Sequence, residues 1–282
     1  MTAGLRQIWK DAFNEDDDYI DFFSKEGLPL GHLLTVGPSE APHAALTLFP
    51  ISFKQAGVSY SGYYLYALGT LHSVRGKGYG KTIVENAKEY ALQTGRQFIL
   101  LQPTNKDLFK YYHYLGFNAP VYRASLECSR STIHSLCAQR ASAFNLTELL
   151  INLSAHLGAN APAVNFPFDR FIWPHKLLEY IRKECVFRGG AVIKDAYCYP
   201  NMDTNGALLD IKEFRATPKL PNLLEAILAA FPMINRFRFY GNVHENETPG
   251  LSQAPFALLY FTDLELQKRY NPQYSYFALG LD

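Results

Sequence analysis

The chain has 282 residues, a formal net charge of +1 at pH 7 and a hydrophobic fraction of 48%. This length allows one large or two modest domains with buried cores. Surfaces that bind nucleic acid usually carry a clear basic excess, so the near-neutral charge argues against a nucleic-acid partner. No apolar run approaches the length of a membrane span, and the first residues lack the basic-then-apolar pattern of a signal peptide. We therefore expect a soluble, cytoplasmic protein with no membrane partner.

The spacing of cysteine and histidine gives no sign of a metal site. The four cysteines include no Cys-x-x-Cys pair, and the eight histidines are scattered without convincing zinc-ligand spacing. We predict no metal, and we interpret the thiols as reduced structural groups. These are Cys128, Cys137, Cys185 and Cys198. The aromatic fraction of 15% instead indicates pockets or a well-packed core.

The first third of the chain begins with two predicted helices and two predicted strands. The apolar residues of the first helix fall on one face: Leu5, Ile8, Trp9, Ala12 and Phe13. Asn14 is predicted to cap the second helix, and the acidic run over residues 15–18 is interpreted as first-turn charge that opposes the helix dipole. Strands are predicted over residues 33–36 and 44–51, joined by a loop rich in glycine and proline.

The stretch over residues 67–85 organises the rest of the chain. An apolar, aromatic-rich strand over residues 63–71 is followed by three closely spaced glycines, Gly76, Gly78 and Gly80. Helical spacing of apolar residues then follows at Ile83, Val84, Ala87 and Ala91, and Gly95 comes just after the helix. Glycines at a helix start let the backbone approach a ligand, while the first-turn amides remain free for an anion. The pattern therefore indicates a phosphate site.

The spacing of the glycines decides between phosphate ligands. A Walker A loop would need its first glycine at the position of Arg75, so the nucleotide triphosphate interpretation fails by one residue. A Rossmann fingerprint would need Gly-x-Gly-x-x-Gly, whereas the chain has Gly-x-Gly-x-Gly. Neither of these two nucleotide motifs is matched.

Two motifs carry a resemblance to a known family. The first, Arg-Gly-Lys-Gly-Tyr-Gly over residues 75–80, follows a strand and opens a helix, and it resembles the acyl-CoA motif Arg/Gln-x-x-Gly-x-Gly/Ala of the GNAT-type N-acetyltransferase superfamily. The match extends over residues 68–81. The second, over residues 105–117, is similar to the family pattern Asn-x-x-Ala-x-x-Phe-Tyr-x-x-x-Gly-Phe, with Leu108 for Ala and Tyr111 for Phe. The order and separation of the two motifs agree with the family.

The resemblance implies an α/β (α+β) GNAT fold, with a mixed, splayed central sheet flanked by helices. It implies acetyl-CoA as cosubstrate, with the backbone N–H of Leu68 bonded to the thioester carbonyl and Thr70 paired with the pantetheine arm. It also implies that the residues after the strand supply amides and positive charge to the pyrophosphate, while Asn105 caps its helix or bonds pantetheine. The implied cofactor-binding residues are Leu68, Gly69, Thr70, Leu71, Arg75, Gly76, Lys77, Gly78, Tyr79, Gly80, Lys81, Thr82 and Asn105.

The second motif also implies the general acid. Tyr112 occupies the family's tyrosine position, and a phenol with a pKa of about 10 stays protonated at neutral pH yet lies within about two units of a thiol. The base that deprotonates the amine is not identified by spacing. Candidate carboxylates are Asp21, Glu26 and Glu127. Candidate residues for the acceptor side are Tyr63, Tyr64 and Tyr66, although alternation along a strand requires some of them to be core.

The second half of the chain resembles a degenerate GNAT-like domain. The predicted order is a helical connector, then strand, strand, helix, strand and a late strand pair, with no Arg-Gly-x-Gly-x-Gly motif before the helix. We predict domains over residues 1–126 and 166–282, with a connector over residues 127–165. The predicted last strand runs to Asp282, and in some tandem family members the chain terminus reaches the catalytic centre.

These patterns predict an acetyl-CoA-dependent N-acetyltransferase that works by direct attack of an amine on the thioester, without a cysteine acyl-enzyme. The alternative is a catalytically inactive CoA-binding or interaction module with the same fold. Transfer of a longer acyl or an aminoacyl group is a third candidate. The expected partner is a small-molecule or peptide amine, and the second domain also allows a homodimer.

Overall fold

The computed structural model describes residues 1–55, 58–138, 144–154, 170–194, 196–201, 204, 207–214, 220–241 and 251–270. The helices of this part of the chain are α1 (Ala3–Phe13), α2 (Asp17–Phe22), α3 (Tyr79–Gln93), α4 (Lys106–Tyr114), α5 (Arg130–Cys137), α6 (Phe144–Ser154), α7 (His175–Phe187), α8 (Leu220–Ala230) and α9 (Leu264–Arg269). The strands are β1 (His32–Val36), β2 (Ala44–Gln55), β3 (Val58–Thr70), β4 (Phe98–Leu101), β5 (Ala119–Ser129), β6 (Arg170–Ile172), β7 (Ala191–Ile193), β8 (Ala196–Pro200), β9 (Leu208–Glu213), β10 (Arg236–Gly241) and β11 (Ser252–Phe261).

The strands form one continuous mixed sheet in the order β1-β2-β3-β4-β11-β5-β10-β9-β8-β7, with β6 paired to β2. The β3–β4 and β9–β10 pairs are parallel. The other pairs in the described part of the chain are antiparallel. The family fold predicted from the sequence, a large mixed sheet flanked by helices, is therefore confirmed.

Strand β11 comes from the second half of the chain but lies in the middle of the sheet. The sequence predicts that the strand over residues 121–126 closes the first sheet; instead β11 lies between β4 and β5 and is antiparallel to both. Its neighbouring residues Leu258 and Leu259 belong to different apolar clusters, one containing Val84 and the other containing Trp9. A strand that buries alternate side chains on both sides is typical of the centre of a sheet.

The first half of the sheet is covered by different helices on its two faces. On one face α3 contributes the four apolar residues predicted from its helical spacing, and all of them are fully buried: Ile83, Val84, Ala87 and Ala91. On the other face α1, α2 and α7 pack around Trp9, Phe23 and Tyr180. Helix α7 thus contributes to the core of the first half, although it lies after residue 166 in the sequence. The domain limits at residues 126 and 165 stay a prediction.

Asn14 has a different role from the predicted one. It ends α1, with φ of 54° and its backbone N–H donating to the Lys10 carbonyl. The N-cap of α2 is Asp16, whose side chain accepts from the Tyr19 N–H. Aspartate and asparagine are both good N-caps, and asparagine also tolerates the left-handed conformation that ends a helix. The prediction chose the wrong one of these two roles for Asn14.

The apolar run over residues 191–199, which the sequence predicts to be one strand, forms a hairpin of two strands, β7 and β8. The predicted last strand and Asp282 lie outside the described residues. Among the helices of the described ranges, none combines the length and the apolar character needed to cross a bilayer.

The central position of β11 leads to a stability prediction. Leu258 is fully buried beside β4, so Leu258→Ala should lower the free energy of unfolding by about 2–5 kcal/mol through lost burial and a residual cavity. The matched control is Leu264→Ala, because this leucine is 68% exposed and should change stability by less than about 0.5 kcal/mol. Urea denaturation followed by tryptophan fluorescence measures both. Equal losses in the two variants would contradict the central position of β11.

Candidate active site

A bulge in β3 opens the sheet next to β4. Along the β2–β3 ladder, Ala45 pairs with Gly69 but Thr47 pairs with Tyr66, so β3 has one extra residue at this point. Ala67, within the bulge, has φ of 54°. The parallel β3–β4 pairing ends at Leu65↔Leu101, whereas β3 continues to Thr70. The two strands therefore separate at their carboxyl ends, which is where open α/β sheets bind ligands.

A cleft of about 520 Å³ occupies this gap. Six of the residues predicted for the site line it: Leu68, Thr70, Arg75, Gly80, Asn105 and Tyr112. They come from β3, from the loop after it and the start of α3, and from α4 with its N-cap, so the fold brings both sequence motifs to one cavity. In particular, Leu68 and Tyr112 face the same space, as a shared role in one reaction would require.

The glycines before α3 leave room for a ligand. Gly76 has φ of +79° and Gly78 has φ of +87°, a region that side-chain-bearing residues rarely adopt, and a Cβ at either would meet no heavy atom within 4 Å. Gly78 is the N-cap of α3 and has no side chain to bond the first-turn amides. These amides therefore remain available to an anion in the open space.

Gly80 differs from the other two glycines because it is a close-packing position. A Cβ at Gly80 would lie 3.0 Å from the Tyr111 hydroxyl and 3.5 Å from the Thr70 hydroxyl. The start of α3, the end of β3 and helix α4 thus approach each other here. Burial raises the pKa of Tyr111, which keeps its hydroxyl protonated beside the helix start.

Arg75 ties the loop to its surroundings. Its Nε donates to the Thr70 carbonyl at 3.3 Å, and its Nη2 donates to the Asp11 carbonyl at 3.2 Å. The Asp11 carboxylate in turn accepts from the His72 backbone N–H at 3.3 Å. Both acceptors of Arg75 are neutral carbonyls. The pKa of the Asp11 carboxylate is lowered by the hydrogen bond from Gln7, and the positive charge of Arg75 also contributes.

The other predicted cofactor residues lie around the cleft rather than in its described wall. Gly69 faces α1, since a Cβ there would meet Ile8 at 2.6 Å, and the Leu71 N–H donates to the His43 carbonyl. The Tyr79 ring packs on the His43 ring at 4.5 Å.

Three further predicted residues lie exposed near the start of α3: Lys77, Lys81 and Thr82. Thr82 donates its hydroxyl to the Gly78 carbonyl at 3.3 Å. Lys77 lies exposed in the glycine loop. Lys81 is also exposed, and its ammonium group lies 5.6 Å from the centre of the Tyr114 ring.

Tyr112 is almost completely buried on α4. Only 6% of it is exposed, and its ring lies edge-on to Tyr111 and Phe117. Burial, with a smaller contribution from Tyr111, raises the pKa of Tyr112 well above the ordinary phenol value. The hydroxyl is therefore protonated throughout the neutral range, but it is a weaker acid than the ordinary phenol assumed from the sequence, so its pKa is no longer within about two units of a thiol.

Aromatic and charged residues form a further part of the cleft wall. Trp9, Phe13 and Tyr66 lie there, together with Glu15 and Arg188. The Arg188 Nη2 donates to Glu15 at 3.1 Å. Two of these residues were not expected at the site from the sequence: Glu15, interpreted as first-turn charge, and Arg188, the C-cap of α7 in the second half. No local pattern marks Arg188; only the packing of α7 on the first half brings it here.

The carboxylates proposed from the sequence lie in ion pairs elsewhere. Asp21 pairs with Arg6, Glu26 pairs with Lys183 at 2.9 Å, and Glu127 pairs with arginines of β10. Within the described residues none of the three lines the cleft, so none is in position to act on a bound amine. The same part of the chain holds no group of three or more His, Cys, Asp or Glu that could bind a metal ion.

The four thiols are free and take no part in the cleft. Cys128, Cys185 and Cys198 are buried, and Cys137 is partly exposed. Burial raises the pKa of Cys128 to about 12 and that of Cys185 to about 11. Such thiols are poor nucleophiles at neutral pH, because the thiolate is the reactive form.

A bulged strand separated from its parallel neighbour, with a glycine-opened helix at the gap, defines the GNAT fold and with it the acyltransferase class. Residues 3–117 match the model of the "Acetyltransferase (GNAT) family". The match covers less than half of the chain, and it shows that this part is similar to that family, which generally uses acetyl-CoA. The resemblance drawn from the two sequence motifs is confirmed. A search of the curated proteins gave no match.

Solved structures extend the likeness to nearly the whole chain. A GCN5-related N-acetyltransferase from Kribbella flavida is 13% identical, with a TM-score of 0.59 over 93% of this chain and 71% of its own. A probable N-acyltransferase from Enterococcus faecalis V583 is 13% identical, with a TM-score of 0.60 over 94% and 72%. A GCN5-related N-acetyltransferase from Anabaena variabilis is 12% identical, with a TM-score of 0.57 over 94% and 72%. At these identities the likeness establishes a shared fold and no shared substrate.

The two predicted roles of Asn105 can be separated. Its Oδ1 accepts from the backbone N–H groups of Asp107 at 3.1 Å and Leu108 at 3.0 Å, so it is the N-cap of α4. Asn105→Ala should therefore cost about 0.5–2 kcal/mol of unfolding free energy, while Asn105→Asp, which can still cap, should cost less. Thermal or urea denaturation measures the difference. Equal stability of the alanine variant and the unchanged chain would rule out the cap as a stabilising contact.

Proposed function

We propose that the protein is an N-acetyltransferase that moves the acetyl group of acetyl-CoA to an amine by direct attack. The observation that carries this proposal is the single cleft that contains both the bulge of β3 at Leu68 and the hydroxyl-bearing Tyr112, next to the open helix start at Gly78. Bound acetyl-CoA would supply an activated thioester. The fit of the chain to this group is supported by the open space over Gly76 and Gly78.

Binding would use the start of α3 and its neighbouring charge. The amides after Gly78 are oriented outward and the helix dipole favours negative charge there, so the pyrophosphate would lie against this end. Arg75, Lys77 and Lys81 add positive charge around it. Asn105 and Thr70 line the cleft between this end and the bulge, where the pantetheine arm would run.

The bulge supplies the electrostatic part of the mechanism. Strand pairing with β4 has ended before Leu68, so its backbone N–H can point to the thioester carbonyl oxygen rather than to a neighbouring strand. A donor held where negative charge develops is worth about 3 kcal/mol of barrier, by analogy with other oxyanion holes. The amine nitrogen attacks the carbonyl carbon, and the carbon–sulfur bond then breaks.

Tyr112 would donate the proton that the departing thiolate needs. Its hydroxyl is protonated over the whole neutral range and lies in the same cleft as Leu68. The acceptor would be a small-molecule or peptide amine, since a further part of the cleft wall is aromatic and has both charge signs at Glu15 and Arg188.

The defining experiment combines calorimetric titration with a thiol-release assay. Coenzyme A and acetyl-CoA should bind with one site per chain, and a panel of small amines and peptides should include acceptors that release free thiol. Mass spectrometry of the product should show one added acetyl group on nitrogen. Tight binding without transfer to any amine of the panel would favour a non-enzymatic CoA-binding module instead.

The general-acid role of Tyr112 leads to a kinetic prediction. Tyr112→Phe removes the proton donor without changing the ring, so kcat should fall about 10²-fold or more, while the Kd of acetyl-CoA stays within about twofold. The matched control is Tyr114→Phe on the same helix, because this side chain is 75% exposed. Steady-state thiol release and calorimetry measure the two quantities. A Tyr112→Phe enzyme with unchanged kcat would exclude this role.

Two glycines at opposite ends of α3 give a matched test of the phosphate site. Gly78 and Gly95 both have positive φ and both have open space around the Cβ position, so either alanine substitution should cost a similar 1–2 kcal/mol or so of stability. Only Gly78→Ala adds a methyl group at the proposed anion site. Its Kd for coenzyme A should rise at least about tenfold, whereas Gly95→Ala should bind as the unchanged chain does. Equal effects on affinity would exclude a phosphate site at this helix start.

A further inference from the structure

A buried chain of hydroxyl groups joins the cleft to a carboxylate of the second half. The Tyr66 and Tyr19 hydroxyl oxygens are 2.7 Å apart, and the Tyr19 hydroxyl donates to Glu184 Oε1 at 2.8 Å. Tyr66 lies on β3 immediately before the bulge and lines the cleft. Glu184, on α7, is only 2% exposed. The proposed mechanism leaves all three groups unused.

The hydrogen bonds that link Tyr66, Tyr19 and Glu184 all donate in one direction, toward the carboxylate. A phenol has a single proton, and Tyr19 uses its own for Glu184, so the Tyr66 hydroxyl is the donor in the Tyr66–Tyr19 bond. The Tyr66 oxygen then keeps acceptor capacity. A proton that arrives at Tyr66 from the cleft would therefore find every hydrogen bond aligned toward the carboxylate.

Charged and titratable groups surround Glu184 on several elements. Arg188, the C-cap of α7, donates its Nε to Glu184 at 3.4 Å, and its guanidinium lies 4.0 Å from the centre of the Tyr19 ring. Burial raises the pKa of Glu184, while Arg188, Tyr19 and Lys212 of β9 act against that rise. Burial also raises the pKa of Tyr19, Tyr66 and Tyr180. The hydroxyls are thus neutral carriers, and the carboxyl is a stronger base than an exposed glutamate.

We propose that Glu184, acting through Tyr19 and Tyr66, takes the proton that the acceptor amine must lose. This inference rests on the proposed function and names a part that the sequence left unassigned. The amine N–H bond breaks as its proton goes to the Tyr66 oxygen. The Tyr66 proton goes to Tyr19 and the Tyr19 proton goes to Glu184 Oε1, so the carboxylate becomes a carboxylic acid.

The need for such a base follows from the amine. A lysine-like amine has a pKa near 10.4 and is mostly protonated at pH 7. Glu15 is the rival base, because it also lines the cleft and shares Arg188 with Glu184. Both carboxylates accept from the Arg188 guanidinium, so this contact does not separate them; Glu184 is favoured because the directed hydrogen-bond chain from Tyr66 ends at it.

The test compares pH profiles of thiol release. In the unchanged enzyme kcat/KM should fall as pH drops through the titration of Glu184, because a protonated carboxyl accepts no proton. Glu184→Gln should lose about 10²-fold at pH 7. The kcat/KM of this variant should then be proportional to the fraction of the amine that is unprotonated. It should approach the kcat/KM of the unchanged enzyme as the pH nears the pKa of the amine. Glu179→Gln on the exposed side of α7 is the matched control and should keep the unchanged profile.

Tyr19→Phe provides a second variant, because it removes the hydroxyl group that links Tyr66 to Glu184. It should reproduce the pH profile of Glu184→Gln, and the double variant should be no slower than either single one, because both remove the same relay. Calorimetric binding of acetyl-CoA should be unaffected in all three. Additive losses, or weakened acetyl-CoA binding of the same size, would indicate a structural role and overturn the relay.

The remaining outcomes are also decisive. Glu15→Gln should keep the fall of kcat/KM at low pH. If this fall disappears in Glu15→Gln and not in Glu184→Gln, Glu15 is the base and the relay is wrong. An active enzyme whose profile is unchanged by Glu184→Gln would exclude the relay while leaving the proposed function in place. An unchanged chain that binds acetyl-CoA without transfer to any amine would instead exclude the function, and the relay with it.

Discussion

The separation of β3 from β4 is the constraint on which the site depends. Two parallel strands hydrogen-bond up to Leu65 and Leu101, and one extra residue at Ala67–Leu68 then turns β3 away. Strand β4 ends at Leu101, so the backbone groups of β3 beyond Leu65 are not used in pairing with β4. The bulge therefore has two effects. It opens a space between β3 and β4, and it leaves polar backbone groups at the edge of that space. Both proposed uses of the cleft require this.

The cleft connects the two faces of the sheet, which have different chemistry. On the face of α3 and α4 it has an uncapped helix start, glycines and buried tyrosine. On the face of α1, α2 and α7 it has aromatic walls, Glu15 and Arg188. The proposed function assigns the pyrophosphate to the first of these faces and the amine to the second. The second half of the chain contributes to the second face through α7, so its role is more than a cover for the first half.

Local sequence patterns predicted the local structure around α3 and α4 well. The glycines before α3, the four buried residues along α3 and the cap at Asn105 are all encoded within a few positions of one another, and spacing alone indicates the structure. The part of the cleft formed by Glu15 and Arg188 was not predictable in this way. The spacing over residues 175–184 predicts the helix α7, but nothing local says that Glu184 and Arg188 face Tyr19, which is more than 160 positions away. The same limit applies to β11, whose neighbours depend on long-range pairing.

The central position of β11 also affects the order in which the chain folds during its synthesis. Leu258 pairs with Leu101, so one edge of β4 has no partner until β11 leaves the ribosome much later. Until then the nascent first half has an open, fully apolar strand edge, which is the kind of surface that chaperones cover and that aggregates when left exposed. Closing so long a loop is slow relative to local helix formation. The cleft between β3 and β4 should therefore be among the last features to form during synthesis, although the residues that build most of it are translated first.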